Sequence, residues 1–157
     1  MEKYKIIKLS ASVLFTVLLG GLSGIVTAAQ IRTWYIFLQK PSFNPPNYLF
    51  GPVWTFLYIL MGISLYLIWI QPASAKKARA VLYFFIQFTL NICWSILFFK
   101  FHQIGWAVVE IIVMWIFILL TIVSAHKIQK KAAWLLIPYI LWVSFAGVLN
   151  FAIWKLN

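Results

Sequence analysis

Residues 8–32 read KLSASVLFTVLLGGLSGIVTAAQIR, a lysine and an arginine enclosing an unbroken uncharged run. A helix rises about 1.5 Å per residue, so roughly 20 such residues cross the ~30 Å hydrocarbon layer of a bilayer. A barrel strand would alternate apolar and polar residues. This run is apolar on nearly every side, and in lipid a helix satisfies its own backbone. The pattern recurs along the chain. Spans are expected over about residues 6–29, 50–70, 78–99, 104–125 and 133–154. Pro52 and Pro138 fall near the starts of the second and fifth, where a missing N–H costs least. Residues 71–77, 102–103 and 127–131 form short turns, which make consecutive helices antiparallel neighbours. The expected fold is all-α: one integral membrane bundle of five transmembrane helices covering residues 1–157.

Composition agrees. Of 157 residues, 64% are hydrophobic and 10% charged, against about 25% charged in a soluble domain. Lys and Arg number 13 against two acids, for a formal net charge of +11. A basic excess can mark nucleic-acid binding. These cations instead flank the apolar runs, where they meet anionic headgroups. The expected partner is therefore the lipid bilayer and not nucleic acid. On the N-terminal side lie Lys3, Lys5, Lys8, Lys76, Lys77, Arg79, Lys127, Lys130 and Lys131; Arg32, Lys40, Lys100 and Lys155 lie opposite. Nine against four orients the N-terminus inside and the C-terminus outside.

The segment 30–48, QIRTWYIFLQKPSFNPPNY, differs from an ordinary loop. A disordered linker is poor in aromatics, and this one holds Trp34, Tyr35, Phe37, Phe43 and Tyr48. Pro41, Pro45 and Pro46 stiffen it and push their predecessors out of helical geometry. It reads as a lid over the bundle mouth. The same aromatics also suit headgroup level, and the two readings are compatible.

Within the spans, Gln87, Asn91 and Ser95 recur at four-residue intervals and share one helix face. Polar groups at that depth look into the bundle, either bonding between helices or walling a cavity. Trp54, Tyr58, Met61 and Leu65 in span two, and Tyr139, Trp142, Ala146, Leu149 and Asn150 in span five, form further inward-capable faces. Such stripes serve core packing as readily as a ligand. Glu110 in span four is either a functional acid or a structural one, partnered across to a neighbouring helix or by His102 and Lys100. Gly20 and Gly24 form a GxxxG suited to close helix contact, within the chain or between copies. Cys93 reads as a small buried hydrophobe. Two histidines, one cysteine and one membrane acid make no metal-ligand cluster, and no phosphate-binding glycine loop is present.

Four separated motifs carry a family resemblance: Trp34-Tyr35-x-x-Leu38-x-Lys40-Pro41-x-Phe43-x-Pro45-Pro46, Gly51-Pro52-Val53-Trp54-x-x-Leu57-Tyr58, Leu90-Asn91-x-x-Trp94-Ser95, and Pro138-Tyr139-x-x-Trp142-Val143-x-Phe145-Ala146. Across essentially the whole chain they resemble the TspO/MBR family. These are the tryptophan-rich sensory proteins of bacteria, similar to the mitochondrial translocator protein or peripheral benzodiazepine receptor. The resemblance implies a five-helix bundle, commonly a homodimer, with a cavity beneath the first loop. Its members bind porphyrins (protoporphyrin IX, haem) and benzodiazepine-site ligands; some are reported to degrade protoporphyrin in light and oxygen. By resemblance the ligand-binding residues are Tyr35, Pro45, Pro46, Trp54, Tyr58, Asn91, Trp106, Trp142, Ala146 and Leu149. Trp54 and Trp142 are the candidates for photochemistry. No cofactor is required, and a porphyrin is ligand or substrate. Phe151 replaces the tyrosine of the sterol pattern, which argues against sterol and for a bacterial cell membrane. Three roles follow: a porphyrin-binding sensor, a light-dependent porphyrin oxidase, or a small transporter with Glu110 carrying protons.

The charge count generates a topological test. With Cys93 replaced, a cysteine at Ser42 should react with an impermeant thiol reagent in intact cells; labelling only after permeabilisation would reverse the orientation.

Overall fold

The computed structural model describes residues 2–157. Helix α1 covers Glu2–Thr33, α2 Phe50–Trp69, α3 Ala75–Ser95, α4 Ile104–His126, α5 Lys130–Leu135 and α6 Ile137–Leu156. No strand occurs among the described residues. Five helical stretches, with α5 and α6 counted together, are long and apolar enough to cross a membrane. Their outward faces carry rows such as Leu14, Leu18, Leu22 and Ile25 on α1, and Val109, Ile112 and Ile116 on α4, all exposed. Rows of that extent are intolerable in water and ordinary against acyl chains. This is an integral membrane protein.

Several boundaries differ from expectation by a few residues, and three of them have a local reason. α1 runs to Thr33 and passes through Arg32, because a long basic side chain can reach the interface without ending its helix. The fifth span starts at Lys130, where the Gln129 side chain accepts the Lys131 N–H. Pro138 cannot donate to the carbonyl four residues back, so the span breaks at Leu136 and restarts as α6. The third span closes in a wider π-helical turn, Ile96–Lys100, sealed by the Phe101 N–H to the Ile96 carbonyl at 3.0 Å. That turn points the consecutive Phe98 and Phe99 inward, at 2% and 5% exposure. His102 then takes a left-handed conformation (φ 54°) to reverse the chain into α4.

α1 lies on α2 and reaches the π-turn; α4 sits between α3 and α6; α5 lies against α2 and α4. The main core joins Leu57, Met61, Phe84, Phe88, Met114, Ile118, Tyr139 and Val143. The α1 and α2 backbones approach closely at Gly62. A Cβ there would stand 2.6 Å from the Val13 Cα and 3.0 Å from the Ser12 carbonyl, and backbone cannot yield. Thr16 seals the contact with a 2.8 Å hydrogen bond to the Tyr58 carbonyl. Gly20 is likewise filled by the Tyr58 ring, whereas a Cβ on Gly24 would meet nothing.

The two helices thus respond differently to a methyl group. Gly62→Ala should destabilise the protein by about 1–3 kcal/mol, as overpacking does, while Gly24→Ala should not lower the thermal midpoint. Melting in detergent micelles, followed by circular dichroism, checks both.

Candidate ligand-binding site

A cavity of about 800 Å³ opens at the end of the bundle opposite the basic cluster. Beneath it, starting from the lining residue Tyr58, runs a chain of hydrogen bonds joining three helices. The Tyr58 hydroxyl donates to Asn91 Oδ1 (2.8 Å), Asn91 Nδ2 donates to the Tyr139 oxygen (3.2 Å), and the Tyr139 hydroxyl donates to Gln87 Oε1 (2.8 Å). Trp54 stacks on Tyr58 at 5.6 Å and meets Tyr139 edge-on at 6.3 Å. Trp142 lies nearer the mouth, against Phe50 at 6.5 Å and Phe145 at 5.5 Å. The α3 side supplies Trp94, Ser95, Phe98 and Phe99. There the Trp94 indole donates to Asn150 Oδ1 (3.0 Å), and Asn150 Nδ2 donates to the Ile104 carbonyl (3.1 Å). On the α1 side Gly20, Gly21, Gly24 and Ala28 alternate with Val17, Ser23, Ile25, Thr27, Ile31 and Arg32.

The lid is anchored at Tyr35, which is 2% exposed. Its hydroxyl donates to Asn44 Oδ1 at 2.7 Å, and its ring contacts Phe50, Phe98 and Phe99. Burial raises the Tyr35 hydroxyl pKa to about 12. Farther along, the Gln39 N–H donates to Asn157 Oδ1 and Asn157 Nδ2 donates to the Gln39 carbonyl. Trp34 stacks on His102 at 4.1 Å, and His102 pairs with Gln30 at 3.3 Å, tying the lid's start to the α3–α4 turn.

With this geometry the chain can be set beside known proteins. Residues 12–155 match the model of the TspO/MBR family. The chain is 45% identical to the tryptophan-rich protein TspO of Archaeoglobus fulgidus, over 97% of this chain and 98% of that one. It is 38% identical to the translocator protein of Bos taurus, over 91% and 88%. It is 34% identical to the protein CrtK of Rhodobacter capsulatus, over 79% and 78%.

The chain belongs to the TspO/MBR family.

In this TspO/MBR protein, Tyr35, Trp54, Tyr58, Trp142, Ala146 and Leu149 line the one cavity. The remaining expected residues stand elsewhere. Asn91 is 2% exposed and lies beneath the floor, spent on the two tyrosines. Pro45 and Pro46 do not reach the cavity. The Pro45 carbonyl accepts from Asn44, and Pro46 opens the turn Asn47–Leu49 that delivers Asn47 and Tyr48 to the lining. Trp106 is 67% exposed. It precedes the fully buried Ala107, and a helix turns about 100° per residue, so the indole faces outward. Lys40 donates to the Ile36 and Leu38 carbonyls and lies over the Tyr35 ring, which leaves Arg32 as the cavity's basic residue.

Glu110 also departs from expectation. Both carboxylate oxygens are buried without a hydrogen-bond partner, and His102 is engaged with Trp34 and Gln30. Glu110 is absent from the cavity wall. Gly21 and Gly24 of α1 and the π-turn residues Phe98 and Phe99 also line the cavity, without a sequence signal that marks them as lining. GxxxG does announce close approach, but not which glycine is left facing empty space.

The Tyr35 anchor has a pH signature. Its pKa in the folded protein lies above the ordinary 10.0, at about 12. Its stabilising effect is complete below pH 10 and is lost as pH rises toward 12. Hydrogen exchange of residues 34–48 should therefore accelerate in that window. Tyr35→Phe should loosen the lid already at neutral pH, by about 0.5–1.5 kcal/mol, and show no further alkaline step from this group.

Proposed function

We propose that this protein is a membrane receptor that takes a porphyrin, or another planar and mostly apolar ligand of the benzodiazepine-site type, into the cavity beneath the lid. The observation that carries this reading is the lining. Aromatic faces of Trp54, Trp142 and Tyr58 converge from two helices on an 800 Å³ space, with a single guanidinium, Arg32, at its rim. A space of this size falls within the range of small-ligand sites, which are mainly apolar with a few placed polar groups. A tetrapyrrole would lay its body on the indoles, and one propionate would pair with Arg32. The relatives named tryptophan-rich protein and translocator protein fit a receptor role. Gly21 and Gly24, where a Cβ would meet nothing, leave room there for a rigid ligand edge. We further propose a homodimer in a bacterial cell membrane, with the nine-lysine-and-arginine end toward the cytoplasm.

A second reading, light-driven porphyrin loss, rests on the position of both tryptophans in the same lining. Indoles donate electrons to an excited porphyrin far more readily than phenyl rings do. A proton-carrying role for Glu110 gains no support, since that residue lies off the cavity wall.

One titration separates the readings. Protoporphyrin IX added to the purified protein in the dark should bind saturably, and Arg32→Gln should weaken it. The Trp54→Phe/Trp142→Phe variant keeps an aromatic face at both positions and should weaken binding only moderately, by less than roughly tenfold for each indole replaced. Trp106→Phe should leave it unchanged. Absorption spectra under illumination then follow the pigment. Loss that stops in the double variant assigns the chemistry to the indoles; unchanged loss with intact binding leaves a receptor that merely holds a photosensitiser. No saturable binding in the dark would reject the receptor reading for porphyrins.

A further inference from the structure

A second crevice opens at the basic end of the bundle, where α1, α2 and α3 meet. It holds about 340 Å³ and shares no lining residue with the lidded cavity. Ser12 and Phe15 line it on α1, Leu65 and Trp69 on α2, and Val81 and Phe85 on α3. The serine is the exception in an apolar wall. Ser12 is 3% exposed, and its hydroxyl has no hydrogen-bond partner. A buried hydroxyl left unpaired loses its hydration without compensation. A helical serine or threonine commonly bonds back to the carbonyl four residues earlier. Thr16, one turn on, does so to the Ser12 carbonyl, and Ser12 does not.

The mouth of this crevice carries positive charge. Lys8 lies one turn before Ser12, and its ammonium stands 5.5 Å from the centre of the Trp69 ring. Lys77 lies one turn before Val81. Its ammonium donates to the Trp69 and Gln71 carbonyls at 2.6 and 2.7 Å, and a lysine has a third donor. Positions four apart share a helix face, so both cations stand above the crevice wall. Two lysines flanking an indole at a helix end is the arrangement of a headgroup-level belt.

We propose that this crevice binds one acyl chain of an anionic glycerophospholipid, with the lipid phosphate between Lys8 and Lys77 and its ester region at Ser12. Ser12 lies about 6 Å deeper than Lys8 along α1, so the headgroup contact and the hydroxyl follow the order phosphate, ester, chain. Phe15, Leu65 and Phe85 then receive the hydrocarbon. The volume sits at the low end of ligand sites and suits one chain, not a macrocycle. Charge complementarity selects the headgroup, because a zwitterionic lipid brings its own cation to the two lysines. The bound lipid contacts all three helices at this end of the molecule.

The test uses delipidated protein in mild detergent, titrated with phosphatidylglycerol or phosphatidylcholine of identical chains and counted by native mass spectrometry. One phosphatidylglycerol per chain should be retained in preference to phosphatidylcholine. Lys8→Gln and Lys77→Gln should each lower that preference about fivefold, the effect of one basic residue beside an anionic headgroup. Ala11→Trp at the exposed rim and Val81→Trp inside should plug the crevice and abolish retention, with helical circular dichroism unchanged. Equal retention of the two lipids would overturn the proposal. So would phosphatidylglycerol retention that survives both plugging variants. A wild-type protein that holds no lipid, and whose plugged variants pass from dimer to monomer, would assign the crevice to a second copy of the chain.

Discussion

The hydrogen-bond chain Tyr58–Asn91–Tyr139–Gln87 sets the register of α2, α3 and α6 at one level of the membrane. In hydrocarbon these groups have no water to fall back on, so each helix can neither rotate nor slide without stranding a polar atom. Individual interhelical hydrogen bonds contribute only about 0.6 kcal/mol. The network's weight is thus in specificity: it excludes competing packings of helices whose other contacts are interchangeable Leu, Ile and Phe. It also divides the bundle. On one side Phe84, Met114 and Ile118 fill the interior. On the other, the rings of Trp54 and Trp142 face open space.

That open space depends on what is missing from α1. Four of its wall positions are glycine or alanine, and a Cβ on Gly21 or Gly24 would meet nothing. Small residues in membrane helices usually allow backbones to approach, and Gly20 and Gly62 follow that rule. Gly21 and Gly24 do the opposite and hold a gap open. The lid then closes over the gap through a phenol, an amide pair and an imidazole stack, using Tyr35, the Gln39–Asn157 bonds and Trp34 on His102. None of these three is a salt bridge; the one charged group in the lid contacts is Lys40, over the Tyr35 ring.

How much of this could be read in advance varies with the physics behind each feature. Spans were legible because hydrocarbon thickness imposes a length and expels charge. Their ends were less so, since Arg32 can snorkel and Lys130 opens a helix that Pro138 later interrupts. Tyr35, Trp54 and Trp142 sit in motifs specific enough to place them in the first loop and on inward faces. Trp106 faces outward for a reason visible in its own helix. Ala107, Ile111, Met114 and Ile118 recur at spacings of four, three and four, and that apolar register turns residue 106 outward. The polar stripe of α3 was ambiguous between bonding and lining, and it does both: Gln87 and Asn91 bond between helices while Ser95 faces the cavity. The π-turn left no trace in periodicity, because it departs from the 3.6-residue repeat on which pattern reading rests.

The two spaces at opposite ends have one geometric origin. Helices that cross at an angle touch closely at one place and separate on either side of it. For α1 and α2 that place is fixed by Gly62 against Val13 and Thr16, by the Thr16 bond to the Tyr58 carbonyl, and by Tyr58 over Gly20. Toward the lid, α1 departs from α2 and leaves the large cavity; toward the basic end, α1 leaves the crevice at Ser12 and Phe15. Phe15 is wedged there against Phe85 and Phe88 at 5.8 and 5.6 Å and limits how far α1 can tilt back.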